Sequence, residues 1–336
     1  MKKVARVLLT AFLLITVVSS FSFAGGQTEK KGEVTTGKAV SQAKKIGISL
    51  FYRRDEFYKD LETGFIDGAK KYGFDVNIQD ADADPSKQMQ QIEDFIASKV
   101  DLIAFAAADP AGLVPAVKEA NKANIPVITF DGSIIGGAEL VTFVGMDNYK
   151  AGVMAGTWAK EYIQKHLGGK ANVVILDFPQ SAVVCGDRVR GFIATLKDMP
   201  LVKIVAQQDG KASRTESMSV MENILTANPK IDIVFAINDD TAFGGIAACE
   251  AAGRKEMVFV DVGWSQELFE KLKKDDPYMK ASAVQNPYLM GMGTMEAIKQ
   301  YFEGKTLPKE ILQESILTTK ENVDQLGWEQ IVAKRK

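Results

Sequence analysis

From residue 45 the chain alternates short apolar runs with longer segments whose apolar residues recur at helical spacing. Residues 46–50 read as a strand. Residues 57–72 read as a helix, with Leu61, Phe65, Ala69 and Tyr72 on one face and Gly73 closing it. A strand over 74–79 follows. Asp84-Pro85-Ser86 then opens a helix with proline in its first turn and Met89, Ile92, Phe95 and Ile96 on its core face. Residues 102–106 form the next strand, Asp109-Pro110 is expected to cap a helix running to Asn121, and residues 127–130 follow as a strand. The same grammar restarts with a helix over 149–165. It continues through strands at 171–176, 202–206, 231–236 and 257–262 and helices at 188–196, 216–226 and 240–252. Late strands at 280–284 and 311–317 flank a helix over 288–302. The apolar runs alternate little, as in strands covered on both faces. The repeated strand–helix order implies parallel pairing through right-handed crossovers. The pattern predicts an α/β protein made of two doubly wound parallel-sheet domains rather than one large sheet.

Composition narrows the chemistry. The chain has 336 residues, 46% hydrophobic and 25% charged, with a net charge of −2. That length suits two domains, and no basic stripe points to nucleic acid. One histidine and two cysteines argue against a Cys/His metal centre or a Ser-His-Asp or Cys-His mechanism unless His166 serves it. His166 lies near the end of a polar-faced helix before Gly168-Gly169 and reads as a surface residue. No cofactor is expected.

Residues 1–24 have the order of a secretory signal peptide: Lys2 and Lys3, an apolar run over 7–18, then small residues, with cleavage expected after Ala24. The alternative is an uncleaved anchor, but the run is shorter than the roughly 20 residues a spanning helix needs. Residues 25–44 are polar and aperiodic and read as a disordered leader. The mature protein is expected to be soluble and exported, to the periplasm or otherwise outside the cytoplasm. In that setting a Cys185–Cys249 disulfide is permitted, although Cys249 lies in an Ala-rich helix and reads equally as a small buried group.

In open α/β sheets ligands bind at the carboxyl ends of the strands. The strand ends here carry Phe51 to Tyr58, including Asp55 and Phe57; Asp131; Asp177 with a loop leading to Arg188; Ile237-Asn238-Asp239-Asp240; and Gln285-Asn286-Pro287. Aromatic faces, carboxylates, amides and a guanidinium together suit a neutral polyol, whose C–H surface packs on rings and whose hydroxyls take directional bonds. Each residue also has a local reading. Phe57 and Tyr58 could dock a helix on the sheet, Asp131 could close a turn with Gly132, Asp239 or Asp240 could cap a helix, and Arg188 could form a surface ion pair.

Three stretches carry a resemblance: Ala-Asn-Ile-Pro-Val-Ile-Thr-Phe-Asp at 123–131, Val-Met-Glu-Asn-Ile-Leu-Thr-Ala-Asn-Pro at 220–229, and Val-Phe-Ala-Ile-Asn-Asp at 234–239, with Gln285, Pro287 and Gly291 adding to it. The chain resembles the periplasmic sugar-binding proteins of ABC importers, in the ribose-type branch of the type I binding-protein fold. The resemblance implies two lobes joined by a three-segment hinge, 45–147 plus 286–310 and 148–285 plus 311–336, which close on a sugar. It also implies a monomer that is not an enzyme, delivering its ligand to a membrane permease with a cytoplasmic ATPase, and in some members docking on a chemoreceptor. Carried over by position, the first-loop amide falls on Asp55 and two aromatics on Phe57 and Tyr58. The hydroxyl-binding carboxylate falls on Asp131, and the second-lobe arginine, amide and glutamine on Arg188, Asn238 and Gln285. Four positions depart: Phe51 stands for a serine, Gly132 for an arginine, Ala212 for an aromatic and Gly263 for an aspartate, with Trp264 beside it as a replacement ring. These exchanges predict a pentose with an apolar substituent or fewer hydroxyls, such as a deoxy or methylthio sugar. A transcription regulator of the same fold would need an N-terminal helix-turn-helix where the expected signal peptide and polar leader stand, and an enzyme acting on sugars would rest on Asp55 and Asp131 alone.

Overall fold

The computed structural model describes residues 43–335; the expected signal peptide and nearly all of the expected leader, through Gln42, lie outside the described residues. In chain order the first part comprises β1 (Lys45–Leu50), α1 (Glu56–Tyr72), β2 (Asp75–Asp80), α2 (Pro85–Ala97), β3 (Leu102–Phe105), α3 (Val114–Lys122), β4 (Val127–Phe130) and β5 (Thr142–Met146). The second part comprises α4 (Asn148–His166), β6 (Ala171–Asp177), α5 (Cys185–Leu196), β7 (Val202–Asp209), α6 (Arg214–Ala227), β8 (Ile233–Ala236), α7 (Asp239–Ala251), β9 (Val258–Asp261), α8 (Gln266–Lys273) and β10 (Met279–Val284). Then come α9 (Pro287–Phe302), β11 (Glu310–Gln313), β12 (Ile316–Thr319) and a terminal α10 (Trp328–Val332).

The strands form two six-stranded sheets, ordered β11-β5-β4-β3-β1-β2 and β12-β10-β9-β8-β6-β7. Pairing is parallel throughout except between β10 and β12. This is the two-sheet α/β architecture expected from the alternation of elements. The chain leaves the first sheet after Met146, returns to it through α9 and β11, and leaves again between Gln313 and Ile316.

Each sheet is covered on both faces, which is why its central strands read as continuous apolar runs. Ile46, Ile48 and Leu50 of β1 join Leu61, Phe65 and Met295 from α1 and α9 on one face. Ile103, Phe105 and Val127 meet Ile92, Phe95, Val117 and Ala120 from α2 and α3 on the other. Glycine decides two helix crossings. A Cβ at Gly291 of α9 would collide with the backbone carbonyl of Leu61 in α1, and one at Gly191 of α5 with that of Tyr149 in α4. These helices therefore approach backbone to backbone, and α5 carries Arg188 into place as it does so.

Four local expectations change. The residues after Asp109 first form a turn closed by Ala111 and Gly112 N–H bonds to its carboxylate, so α3 begins only at Val114. β5 and α8 are elements the apolar pattern did not announce. The single late strand expected over 311–317 is two strands in different sheets. The cap of α7 is Asn238 rather than Asp239 or Asp240, its Oδ1 accepting from Thr241 N–H at 2.9 Å. Both cysteines are buried and free, so the permitted disulfide is not formed; burial pushes the Cys249 thiol up to about 12. His166 is exposed at the end of α4, its ring 4.6 Å from that of Tyr162. Among the described residues no helix is long and apolar enough to cross a membrane.

Candidate functional site

The first lobe contributes an aromatic cluster built on the end of β1 and the start of α1. Asp55 caps α1, its carboxylate accepting from Tyr58 N–H at 2.9 Å. The cap turns Tyr58 inward against Phe51, Tyr52 and Phe57, with ring centroids 6.2, 4.9 and 5.4 Å away. Asp55 therefore has a structural duty as well as an exposed edge, and it also accepts from the Tyr52 hydroxyl at 2.7 Å. Burial raises its carboxyl to about 6, against the pull of those two bonds.

Asp131 arrives from β4. Its φ is +57°, and Gly132 N–H bonds back to Phe130 C=O at 2.6 Å, closing a three-residue turn on a residue held in the left-handed region. Such strain persists only where surrounding structure enforces it, as the Asp131 N–H bond to Val144 C=O does here. The turn aims the carboxylate at the aromatic cluster, where Tyr58 donates to it at 2.5 Å. Burial raises its pKa; the Tyr58 bond and the Arg188 charge oppose that.

The second lobe supplies the cation. Arg188 is buried, its Nε donating to Asn148 Oδ1 and its Nη1 to Ile237 C=O, both at 2.8 Å. Asn148 begins α4 directly after the first crossing, so a residue at the crossing orients the guanidinium. Because Ile237 precedes Asn238, the same bond sets Arg188 beside the α7 cap. Gln285 follows β10; it is buried, its backbone N–H bonds to Gly263 C=O, and its Oε1 has no hydrogen-bond partner among the described residues.

The structure thus gathers Phe51, Asp55, Phe57, Tyr58 and Asp131 in one lobe, and Arg188 beside Asn238 in the other. Trp264 lies elsewhere. It is 4% exposed, its ring packs edge-on against Phe269, and its Nε1 donates to Asp60 Oδ2 of α1 at 2.6 Å. One turn earlier on α1, Glu56 accepts from Gln266 N–H at 2.7 Å. Glu56 and Asp60 stand four residues apart on one helix face, so the ring is turned to a contact between lobes rather than offered as an open platform.

Sequence reading gave no role to Tyr52, Asn148 or Asp261, and read Asp239 as a helix cap. Tyr52 and Asn148 orient Asp55 and Arg188. Asp239 and Asp261 form a buried acid pair at the end of β9. Burial raises Asp239 to about 6, while burial and the Asp239 charge raise Asp261 well above the usual carboxylate range. At Asp261 burial and the neighbouring charge thus both favour the protonated form. Asp239 also accepts from Trp264 N–H at 3.0 Å and sits in the space a side chain at Gly263 would fill. The carboxylate missing at 263 is thus replaced nearby by one from α7. The available signal was the one that singled out Asp131: Asp261 also ends an apolar run.

A family model described as "Periplasmic binding protein domain" matches residues 46–306. The chain is 32% identical to the ribose import binding protein RbsB of Bacillus subtilis (strain 168), covering 93% of this chain and 97% of that protein. It is 29% identical to the D-apiose import binding protein of Paraburkholderia graminis, covering 77% and 81%. A similar solved structure is the periplasmic binding protein component of the arabinose ABC transporter from Shewanella sp. ANA-3, bound to α- and β-L-arabinofuranose. The TM-score is 0.79 at 26% identity, covering 86% of this chain and 96% of that one.

Proposed function

The chain belongs to the periplasmic binding protein domain family, and on that premise we propose that it is an extracytoplasmic solute-binding protein for a monosaccharide of the pentose class. The ligand is a pentose or a modified pentose such as a deoxy or methylthio sugar. It is enclosed between the lobes and delivered to the membrane permease of an ABC importer; the binding protein itself transforms nothing. The observation that carries this reading is the cluster of Phe51, Asp55, Tyr58 and Asp131 beyond the ends of β1 and β4, with Asn238 and Gln285 beyond those of β8 and β10 and Arg188 bonded from α5 to Ile237 C=O.

In this reading the rings of Phe51, Phe57 and Tyr58 pack on the C–H face of the sugar. Asp55 and Asp131 accept from hydroxyls, Arg188 donates to ring or hydroxyl oxygens, and the Gln285 carbonyl accepts. Asn238 offers its amide N–H, since its Oδ1 holds the α7 cap. Trp264 acts by joining the lobes. We place the third hinge crossing at 314–315, later than the 310/311 boundary expected from sequence, because β11 stays with the first sheet. Names of similar proteins support a sugar ligand, pentose or hexose: ribose, apiose and arabinofuranose appear among them, as do galactofuranose and fructose.

The test is a thermal-shift screen of the mature protein against pentoses, hexoses, deoxy sugars and methylthio sugars. A ligand at 100 times its Kd adds about 2.7 kcal/mol, enough for a clear rise in Tm. Stabilisation by pentoses or their derivatives is expected, and loss of it in Arg188→Ala and Asp131→Asn. No response to any sugar, or recovery of a chemically altered sugar, would overturn the proposal.

A further inference from the structure

Beside the sugar-facing residues lies a cavity of about 590 Å³ that meets the site at Asp131 and at Asn148, the residue that holds Arg188. Its first-lobe wall comes from the loop after Asp131 and from the outer strands β5 and β11, with Leu140, Phe143, Met146 and Leu312 facing it. Its second-lobe wall is the segment before α5, with Val183 and Val184. The floor is shaped by a glycine: the ring of Phe143 lies across Gly145, in the space a Cβ there would occupy.

The polar groups around this cavity are already engaged within the protein. Asp147 accepts from Lys150 N–H at 2.9 Å and pairs with its Nζ at 3.0 Å. Asp187 pairs with Arg190. Asn148 Oδ1 accepts from Arg188, and Ser133 shares a hydrogen bond with Thr129 at 2.9 Å. Lys309, Glu310 and Tyr149 are exposed at the mouth. What the interior offers is therefore apolar surface, including Val183 and Leu312, each 42% exposed. A cavity of this size falls in the range of small-molecule sites. Its junction with the sugar site includes a carboxylate, so a hydroxyl-bearing carbon held there would point any substituent into it.

We propose that this cavity is a second subsite, continuous with the sugar site at Asp131, which receives an apolar alkyl or alkylthio substituent carried by the bound pentose. The proposal rests on the sugar-binding reading above and adds where the modification lies. It also explains how a site can bind a substituted sugar without extra hydrogen-bonding groups: discrimination comes from burying methylenes between Phe143 and Val183.

The experiment is calorimetry of the mature protein with ribose and arabinose, with their 5-alkylthio and 1-O-alkyl derivatives, methyl through butyl, and with disaccharides that contain these pentoses. Burial of each methylene contributes about 0.8 kcal/mol, so affinity should rise about fourfold per carbon in the series that enters the cavity. Val183→Trp and Leu312→Trp, both at exposed positions, should abolish that rise and leave the affinity for the unsubstituted sugar within about twofold. Binding of plain pentoses with no dependence on chain length would overturn the subsite and leave the sugar-binding reading standing. Tighter binding of disaccharides than of alkyl derivatives would also overturn it, since a second sugar ring would then be the occupant. Binding of no sugar in any series would overturn both.

Discussion

Replacing Trp264 with Phe tests whether the lobes are held by a specific bond. The indole N–H of Trp264 and the carboxylate of Asp60 lie 204 positions apart in sequence, in different lobes, and meet at 2.6 Å between buried residues. Phenylalanine keeps a ring against Phe269 and removes only the donor and the outer part of the indole. A hydrogen bond to a charged group contributes about 1.5–3 kcal/mol. A bond between lobes shifts ligand affinity only as far as it is made in the closed state and not in the open one. Made in the closed state alone, it contributes its full value, and the variant should bind ligand about 10- to 150-fold more weakly. Calorimetry on wild type, Trp264→Phe, Asp60→Asn and the double variant closes the cycle, with an expected coupling of about 1–3 kcal/mol. The Tm of the ligand-free protein should fall only by what the lost indole surface contributes. A Kd that stays within about twofold, with a coupling in ligand binding near zero, would show instead that the bond is made whether or not ligand is bound.

Two further outcomes follow from the site. Asp55, held at about 6 by burial, should lose its hydroxyl-accepting form as pH falls through 6, so affinity should drop from pH 7 to 5, and Asp55→Asn should flatten the profile. Between about pH 4 and 6 the folded Asp55 keeps a proton that the unfolded chain has released, so this group lowers stability as pH rises; the Tm of Asp55→Asn should gain on wild type across that window. Gly191→Ala forces a Cβ against the Tyr149 carbonyl, and such overpacking costs about 1–3 kcal/mol. We expect a Tm lower by about 2–10 °C and weaker ligand binding, because α5 also carries Arg188; an unchanged Tm would show that the two helices separate freely.

What could be read from sequence was whatever is local. The run from Val127 to Phe130 announced a buried strand, and the carboxylate ending it announced a site, because burial on both faces and chemistry at the strand end are written in consecutive residues. Asp261 carries the same signature, yet a second buried acid makes sense only beside Asp239, which reaches it through the fold. β5 was hidden because five residues with a glycine among them resemble loop until β4 and β11 flank them. Trp264 was read as a ring for the ligand since aromatic character is visible in sequence; its partner Asp60 is not. Asp55 shows the two levels superposed, a helix cap by its neighbours and a candidate hydroxyl acceptor by its position.

The return of the chain to the first sheet sets the order in which the protein can be completed. β11 and α9 lie after the whole second sheet up to β10, so α1 lacks its packing partner and β5 keeps an open edge until residues 287–313 have been made. Synthesis from Met146 to Glu310 at 5–20 residues per second takes about 10–30 s. During that interval most of the second sheet can assemble, although β12 and the Trp328 and Ile331 side chains of its core come later still, while the first remains an unfinished sheet with an unpaired strand, the kind of edge that other chains can join. The nascent protein is therefore most exposed to misassembly in its earliest-made half, and a segment within the last seventh or so of its length decides when that exposure ends.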